Sequence, residues 1–171
     1  QILVIQDYKE NLAKCTLAPL SGASGVTIVR LAHPRRSVKK VPIGPGILLA
    51  VDGPPLRRED SSLVADGSLV LIDSTWARVR TVLGRCTLAP VSRLARRSIP
   101  PGFVTAYPRA SKIHDDPTGG LASVEAIFAA TAVLGAPRLD LLAAYRWADE
   151  FLRRSEDVLR DLCPELAARP G

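Results

Sequence analysis

Five short segments of this chain carry apolar side chains at most of their positions, and this feature limits the fold more than any other. A strand that is apolar on both of its sides must be covered on both sides, as strands of parallel sheets are. The segments are Ile2–Ile5, Val26–Leu31, Ile47–Val51, Ser68–Ile72 and Gly102–Tyr107. We therefore predict strands of a mainly parallel sheet at these positions.

Segments with a helical pattern alternate with these strands and follow them. Ser123–Gly135 begins with a serine suited to a helix N-cap and ends with a glycine suited to a C-cap. The predicted helices are Arg57–Ala65, Ser74–Leu83, Ser123–Gly135 and Arg138–Leu162, the last as one helix or a broken one. The alternation predicts an α/β fold: a single domain over residues 1–171, with helices on both faces of the sheet.

The stretch "SLVLIDSTWARV" from Ser68 to Val79 places an acid and a tryptophan directly after a predicted strand. In open parallel sheets, ligands bind beyond the carboxyl ends of the strands, so the loops after Ile5, Ile72 and Tyr107 are candidate site loops. Asp73 can cap the following helix or act as a base toward a ligand. Trp76 can pack in the core or form a pocket wall. Their joint position at a strand end favours a base and a pocket wall.

The charges of the chain are unevenly distributed, with a net charge of +6. The stretches Asn11–Val51 and Ser74–His114 contain no acid, whereas acids outnumber basic residues from Asp115 onward. Such a basic region is either a solvated surface or a binding surface for a polyanion, and its extent favours RNA as a partner. The candidate RNA-binding residues are Lys39, Lys40, Arg93, Arg96 and Arg97. The three arginines precede a predicted strand, so we expect them to flank the crevice beside Asp73.

Several classes of protein are disfavoured by what the sequence lacks. The cysteines and histidines have no metal-ligand spacing, so no metal is predicted, and the three cysteines are expected to be reduced thiols in a cytoplasmic protein. No apolar run is long enough to span a bilayer, and we expect no membrane partner. The absence of a dinucleotide-binding loop, a Walker loop and a nucleophile elbow weakens the case for another kind of α/β enzyme.

The segment "IDSTW" (Ile72–Trp76) resembles a signature of two families that belong to one superfamily. It is similar to the Asp-x-Thr-Trp signature of DTW-domain proteins and to the Asp-Cys-Ser-Trp signature of small-subunit rRNA aminocarboxypropyltransferases. Four further segments resemble motifs of the rRNA enzymes in the same order along the chain. They are "KCTLAPL" (Lys14–Leu20), "IPPGFVTAYP" (Ile99–Pro108), "LASVEA" (Leu121–Ala126) and "YRWADEFLRRSEDVL" (Tyr145–Leu159).

This resemblance implies a SPOUT-like fold with a knot toward the C-terminus, and S-adenosylmethionine as co-substrate. It implies transfer of the 3-amino-3-carboxypropyl group to N3 of a uridine or pseudouridine in RNA, with small-subunit rRNA as the first expectation. Two alternatives are a tRNA uridine aminocarboxypropyltransferase of the DTW type and a non-catalytic RNA-binding protein of ribosome assembly. A monomer is the simplest expectation for the oligomeric state.

The resemblance and the needs of the chemistry together suggest residue roles. Asp73 is the candidate base for the N3 proton, and Trp76 with Ala77 is the candidate apolar wall against the donor's methyl group. The backbone around Thr16 and the hydroxyl of Ser123 are candidates for binding the donor's carboxylate, because the helix N-terminus at Ser123 favours anions. Backbone groups near Phe103, Val104 and Leu121 are the candidates for holding the adenine, and Ile72 is a further candidate residue of the donor site. Glu125 is either a first-turn helix acid or a partner of the donor's amine.

Overall fold

The computed structural model describes residues 1–11, 16–37, 39–90, 93–108 and 120–167. Its strands are β1 (Ile2–Gln6), β2 (Val26–Arg30), β3 (Val41–Ile43), β4 (Gly46–Leu49), β5 (Ser68–Asp73), β6 (Cys86–Leu88) and β7 (Leu94–Arg97). Its α-helices are α1 (Ser61–Ala65), α2 (Val79–Leu83), α3 (Ser123–Val133), α4 (Ala148–Arg154), α5 (Glu156–Leu162) and α6 (Pro164–Ala167). Short 3₁₀ helices cover Ala18–Leu20, Arg58–Asp60, Trp76–Arg78 and Leu139–Leu142.

The main sheet has the strand order β2-β1-β5-β4-β7, and every pair of neighbours in it is parallel. The predicted mainly parallel sheet is therefore confirmed. Gln6 lies opposite Arg30 on one side and opposite Asp73 on the other. These three residues end their strands, so the carboxyl ends of β2, β1 and β5 form one continuous edge. A second, two-stranded parallel sheet pairs β3 with β6.

Alternate residues of the central strands point into two hydrophobic clusters, one on each face of the sheet. Ile2, Val4 and Leu69 pack with α3, α4 and α5 on the first face. Ile5 and Val70 pack on the second face with side chains of α2, β3 and β6. Helices thus lie on both faces, with the small sheet helping α2 to cover the second. The helix α3 is apolar on all sides and has ten buried residues, as expected of a helix inside the core.

The strand predicted at Gly102–Tyr107 is wrong, because the described part of this segment is irregular. Its backbone donors bind side chains and not a neighbouring strand: the Val104 nitrogen donates to Ser155 Oγ at 3.1 Å and the Ala106 nitrogen to Glu125 Oε1 at 2.9 Å. Phe103 and Ala106 are buried, which explains why the segment resembles a strand in sequence. The loop expected to follow it falls largely on residues 109–119, outside the described residues.

Other elements differ from the prediction in their extent. The helix predicted over Arg138–Leu162 is broken into a 3₁₀ helix, α4 and α5, and the one predicted over Ser74–Leu83 begins as the 3₁₀ helix Trp76–Arg78. Strands β3, β6 and β7 were not predicted, because they are short and half exposed and lack a continuous apolar run. None of the described helices is long and apolar enough to cross a membrane.

We expect Gly46→Ala to destabilise the fold by about 2 kcal/mol or more, because the position is both strained and crowded. Gly46 has φ +131°, and a Cβ there would lie 2.6 Å from the backbone nitrogen of Ser68 and overlap its oxygen. Urea unfolding monitored by circular dichroism measures the change. Gly44→Ala is the matched control, since no atom lies within 4 Å of its added Cβ. A Gly46→Ala variant as stable as the control would contradict the prediction.

Candidate active site

Asp73 ends β5 and joins three elements at the carboxyl edge of the sheet. Its residue is 7% exposed. Its Oδ1 accepts a hydrogen bond from Ser123 Oγ at 2.5 Å, and its Oδ2 accepts a longer one from Gln6 Nε2 at 3.3 Å. The carboxylate therefore connects the end of β5 to the end of β1 and to the start of α3.

Thr16 lies beside the same helix N-terminus. The backbone nitrogen of Ser123 donates to Thr16 Oγ1 at 3.1 Å. The Ser123 hydroxyl already donates its hydrogen to Asp73. Thr16 Oγ1 accepts the bond from the Ser123 nitrogen with a lone pair, so this bond does not use the hydroxyl hydrogen of Thr16. The structure thus brings Asp73, Ser123 and Thr16 together, although Thr16 is better suited than Ser123 to donate to a bound anion.

The pKa of Asp73 is raised above its ordinary value of 3.8. Burial is the main cause, the hydrogen bonds from Ser123 and Gln6 oppose it, and the nearby charge of Asp7 adds to it. Hydrogen bonds stabilise the charged form of this carboxylate, but no cation within the described part of the chain acts on it. A raised pKa makes Asp73 a better proton acceptor than an ordinary aspartate.

Asp7 is a second buried carboxylate beside Asp73, and the sequence analysis did not identify it. Its side chain is 1% exposed, and its backbone nitrogen donates to the backbone oxygen of Asp73 at 2.9 Å. Arg78 holds it with two hydrogen bonds, Nε to Oδ2 at 2.5 Å and Nη2 to Oδ1 at 3.1 Å, and Ser74 Oγ donates at 3.2 Å. Burial acts to raise the pKa of Asp7, but the hydrogen bonds from Arg78, Lys9 and Ser74 outweigh it and the pKa is lowered.

The ion pair between Asp7 and Arg78 also fixes the segment that carries the tryptophan. Arg78 ends the 3₁₀ helix that begins at Trp76, so the pair ties this helix to the end of β1. Trp76 is half-buried and Ala77 is exposed. Both are therefore at least partly accessible to solvent close to Asp73 in the chain, a position compatible with a pocket wall.

The residues predicted around the adenine and Ile72 have mixed environments. Ile72 is half-buried within β5, and Leu121 is buried just before α3. The ring of Phe103 is buried and stacks on Phe151 with 6.5 Å between ring centroids. Val104 is 47% exposed, which is unusual for a large apolar residue beside a core. Phe103 therefore anchors its segment to the helical layer, while Val104 presents an apolar side chain to solvent.

Glu125 is fully buried in the first turn of α3 and accepts four hydrogen bonds. Oε1 accepts from the Ala106 nitrogen and the Tyr145 hydroxyl, each at 2.9 Å, and Oε2 accepts from Thr105 Oγ1 at 2.6 Å and the Ala122 nitrogen at 2.8 Å. Of the two alternatives from sequence, Glu125 is the first-turn helix acid, since it lies in the first turn of α3 and is buried away from a donor's amine. Its hydrogen bonds to Thr105, Ala106 and Tyr145 go beyond that role. An acid within the apolar run "SVEAIFAATAV" was the available signal.

The predicted RNA-binding residues do not form one surface. Arg96 and Arg97 are in β7 and pair with Asp52 and Asp60, at 2.6 Å and 2.7 Å. Arg93 lies at the amino end of β7, where its oxygen accepts from the Gly46 nitrogen, so it is at the edge opposite Asp73 and does not flank the crevice. Lys39 and Lys40 are exposed before β3. The basic residues Lys14, Arg109 and Lys112 lie outside the described residues.

Comparisons with known proteins establish the fold. No protein-family model matches the chain, and no curated protein matches it. Among solved structures, the chain is similar to that of the SAM-dependent rRNA:acp-transferase Tsr3 from Vulcanisaeta distributa, with a TM-score of 0.66 and 20% sequence identity. The match covers 95% of this chain and 83% of that one. At this identity the likeness shows that the two chains share a fold.

We expect Asp73→Asn and Asp7→Asn to change stability with opposite dependence on pH. The folded-state pKa of Asp73 lies above 3.8, so its charge costs stability above that folded pKa, and the cost disappears as the pH falls below 3.8. The folded-state pKa of Asp7 lies below 3.8, so its charge adds stability above 3.8 that is lost as the pH falls through the folded pKa.

As the pH is lowered from about 7 to about 3, the melting temperature of Asp73→Asn minus that of wild type should therefore decrease. The same difference for Asp7→Asn should increase. Thermal melts of the three proteins at several pH values measure both trends. The same trend in both variants would show that the difference in environment between the two carboxylates does not control their ionisation.

Proposed function

We propose that this chain transfers the 3-amino-3-carboxypropyl group of S-adenosylmethionine to N3 of a uridine or pseudouridine in RNA, with small-subunit rRNA as the preferred substrate. The observation that carries the proposal is the buried Asp73 at the carboxyl edge of the sheet, joined to the N-terminus of α3 and followed by Trp76. The sequence motifs and the likeness to the fold of an rRNA:acp-transferase support it.

The residues at this edge fit the donor's functional groups. Thr16 offers a hydroxyl hydrogen beside the N-terminus of α3, where a carboxylate is favoured. Trp76 and the exposed Val104 offer apolar surface for the methyl group and the adenine, and an aromatic face also suits the cationic sulfonium. Glu125 does not bind the donor in this proposal; it holds the segment around Thr105 in place.

Asp73 acts as the proton acceptor. The uridine N3 bonds to the activated carbon while the carbon–sulfur bond breaks, the sulfur keeps the bonding electrons, and methylthioadenosine leaves. The N3 proton passes to Asp73. Ser123 occupies Oδ1 with a short hydrogen bond, so Oδ2, with its longer contact to Gln6, is the oxygen that takes the proton. Burial raises the pKa of Asp73 and favours this transfer.

Finer features of the resemblance belong to the same proposal. They are the SPOUT-like knot toward the C-terminus, membership of the superfamily that includes DTW-domain proteins, a single domain over residues 1–171, a monomeric state and a cytoplasmic location. The motif order from "KCTLAPL" to "YRWADEFLRRSEDVL" supports the first two.

Two alternatives share the fold and are distinguished by experiment. A tRNA uridine aminocarboxypropyltransferase would modify tRNA in place of rRNA. A non-catalytic RNA-binding protein would bind RNA without S-adenosylmethionine, and the exposed Lys39 and Lys40 are compatible with it. Isothermal titration calorimetry with S-adenosylmethionine is the first test, since it measures donor binding and absence of binding would exclude the proposed enzyme.

We expect Trp76→Ala to weaken S-adenosylmethionine binding about tenfold or more, which equals ~1.4 kcal/mol. The physical reason is loss of the aromatic surface against the methyl group and sulfonium. Calorimetry on folded protein measures the change, with Trp76→Phe as the matched control that keeps a ring. Wild-type affinity in Trp76→Ala would place this tryptophan outside the binding site.

We expect Asp73→Asn to bind S-adenosylmethionine nearly as well as wild type but to transfer the group about 10²–10⁴ times more slowly. Asparagine keeps the size and the acceptor for Ser123, but it cannot take the N3 proton. The readouts are mass spectrometry of nucleosides from unmodified rRNA or tRNA and release of methylthioadenosine. Asp140→Asn, which removes an exposed carboxylate paired with Arg138, is the control. Unchanged turnover in Asp73→Asn would give Asp73 a purely structural role.

A further inference from the structure

A groove of about 360 Å³ opens beyond the carboxyl end of β2. Its lining residues are Tyr8, Arg30, Leu31, Ala32, His33 and Arg36. Among them Leu31 is buried and forms an apolar floor, while His33 and Arg36 are exposed. The groove therefore combines an apolar base with aromatic and cationic walls.

Two arginines stabilise the walls of the groove by donating hydrogen bonds to backbone oxygens, and these donors are not available to a ligand. Arg30 donates to the backbone oxygens of Tyr8 at 3.2 Å and Glu10 at 2.8 Å, which fixes the segment after β1. Arg85 donates to the oxygens of Ala32 at 2.6 Å and Ser37 at 3.0 Å, which braces the opposite wall. The groove is thus built by side chains committed to its backbone.

Arg36, in contrast, makes no side-chain hydrogen bond or ion pair with the residues that the structure describes. Arg35 is likewise exposed and unpaired within the described ranges, and no acid occurs between Asn11 and Val51. Uncommitted guanidinium groups beside a preformed groove are suited to bind a phosphate.

The aromatic side chains add the second part of a nucleotide site. The rings of Tyr8 and His33 have centroids 4.9 Å apart at an interplanar angle of 70°. Arg78 stands 5.4 Å from the centroid of Tyr8 and so supports that ring. Proteins that bind single-stranded RNA use aromatic rings, which stack on bases, together with cations, which contact phosphates.

The position of the groove links it to the candidate active site. Tyr8 directly follows Asp7, whose backbone nitrogen donates to the Asp73 oxygen. Arg30 lies opposite Gln6, and Gln6 lies opposite Asp73, so the groove and Asp73 are separated by two strand spacings, about 10 Å, along one edge. An RNA strand with its target base at Asp73 would pass the groove with a neighbouring nucleotide.

We propose that this groove binds a nucleotide that flanks the modified base in the RNA substrate, with Arg36 and Arg35 at its phosphate and His33 against its base. The link to a modified base rests on the proposed function, whereas RNA binding by the groove does not.

The test is fluorescence anisotropy with a labelled single-stranded oligoribonucleotide of mixed sequence that contains uridine. Arg36→Ala should weaken binding and lower the slope of log affinity against log salt by about 0.7, as expected for one lost phosphate contact. His33→Ala should weaken binding about tenfold through loss of stacking, with no change in the slope. Arg160→Ala on α5 removes the same charge from an exposed ion pair with Glu156 and should leave both quantities unchanged.

The outcomes separate the groove from the proposed function. If the wild-type protein does not bind S-adenosylmethionine, the proposed enzyme is refuted. If Arg36→Ala nevertheless weakens RNA binding, the groove is supported. An active enzyme whose Arg36→Ala and His33→Ala variants keep RNA affinity, salt slope and KM would overturn the groove. Displacement of the oligonucleotide by sodium phosphate at constant ionic strength, with no effect of His33→Ala, would also overturn it in favour of a simple anion site.

Discussion

The arrangement of this molecule depends on one buried carboxylate. Glu125 accepts four hydrogen bonds from two loops and a helix-flanking tyrosine, and these donors offset the cost of burying a polar side chain. Through them the position of α3 determines the position of the segment around Ala106. Ser123 begins the same helix and donates a hydrogen bond to Asp73. Glu125 therefore also helps to fix the position of the helical layer relative to the sheet. Removing it would leave several buried donors unsatisfied at once.

Two aspartates with nearly the same local sequence context have opposite electrostatic settings. Asp7 directly follows the apolar strand β1 and Asp73 ends the apolar strand β5, and the Asp7 backbone nitrogen donates to the Asp73 backbone oxygen. Arg78 pairs with Asp7 and holds it ionised, whereas Asp73 has hydrogen bonds but no cationic partner among the residues that the structure describes. Such a divergence of pKa values between neighbouring acids is typical of sites that move protons. The ion pair with Arg78 thus keeps Asp7 ionised, while Asp73 keeps a raised pKa and is the better proton acceptor of the two.

The sequence predicts the central strands and the buried helix because continuous apolar runs define them. It does not predict β3 or β7, whose residues are half exposed, and it misassigns Gly102–Tyr107, because an apolar run does not show where the backbone donors will bind. Asp73 and Ser123 were each singled out from a strand end and a helix start, but the hydrogen bond between them was not predicted. The pairing of Asp7 with Arg78 spans 71 positions, and no local pattern specifies a contact between residues so distant.

The all-parallel sheet has a consequence for how the chain reaches this structure. Parallel neighbours cannot be joined by hairpins, and β1 must wait for β5 before its second side is paired. The apolar helix α3 comes still later along the chain, so one face of the sheet stays uncovered until α3 has been made. Such non-local order predicts slow folding and a long exposure of apolar surface during synthesis. Protection by chaperones at this stage would therefore matter more for this chain than for a helical bundle of equal length.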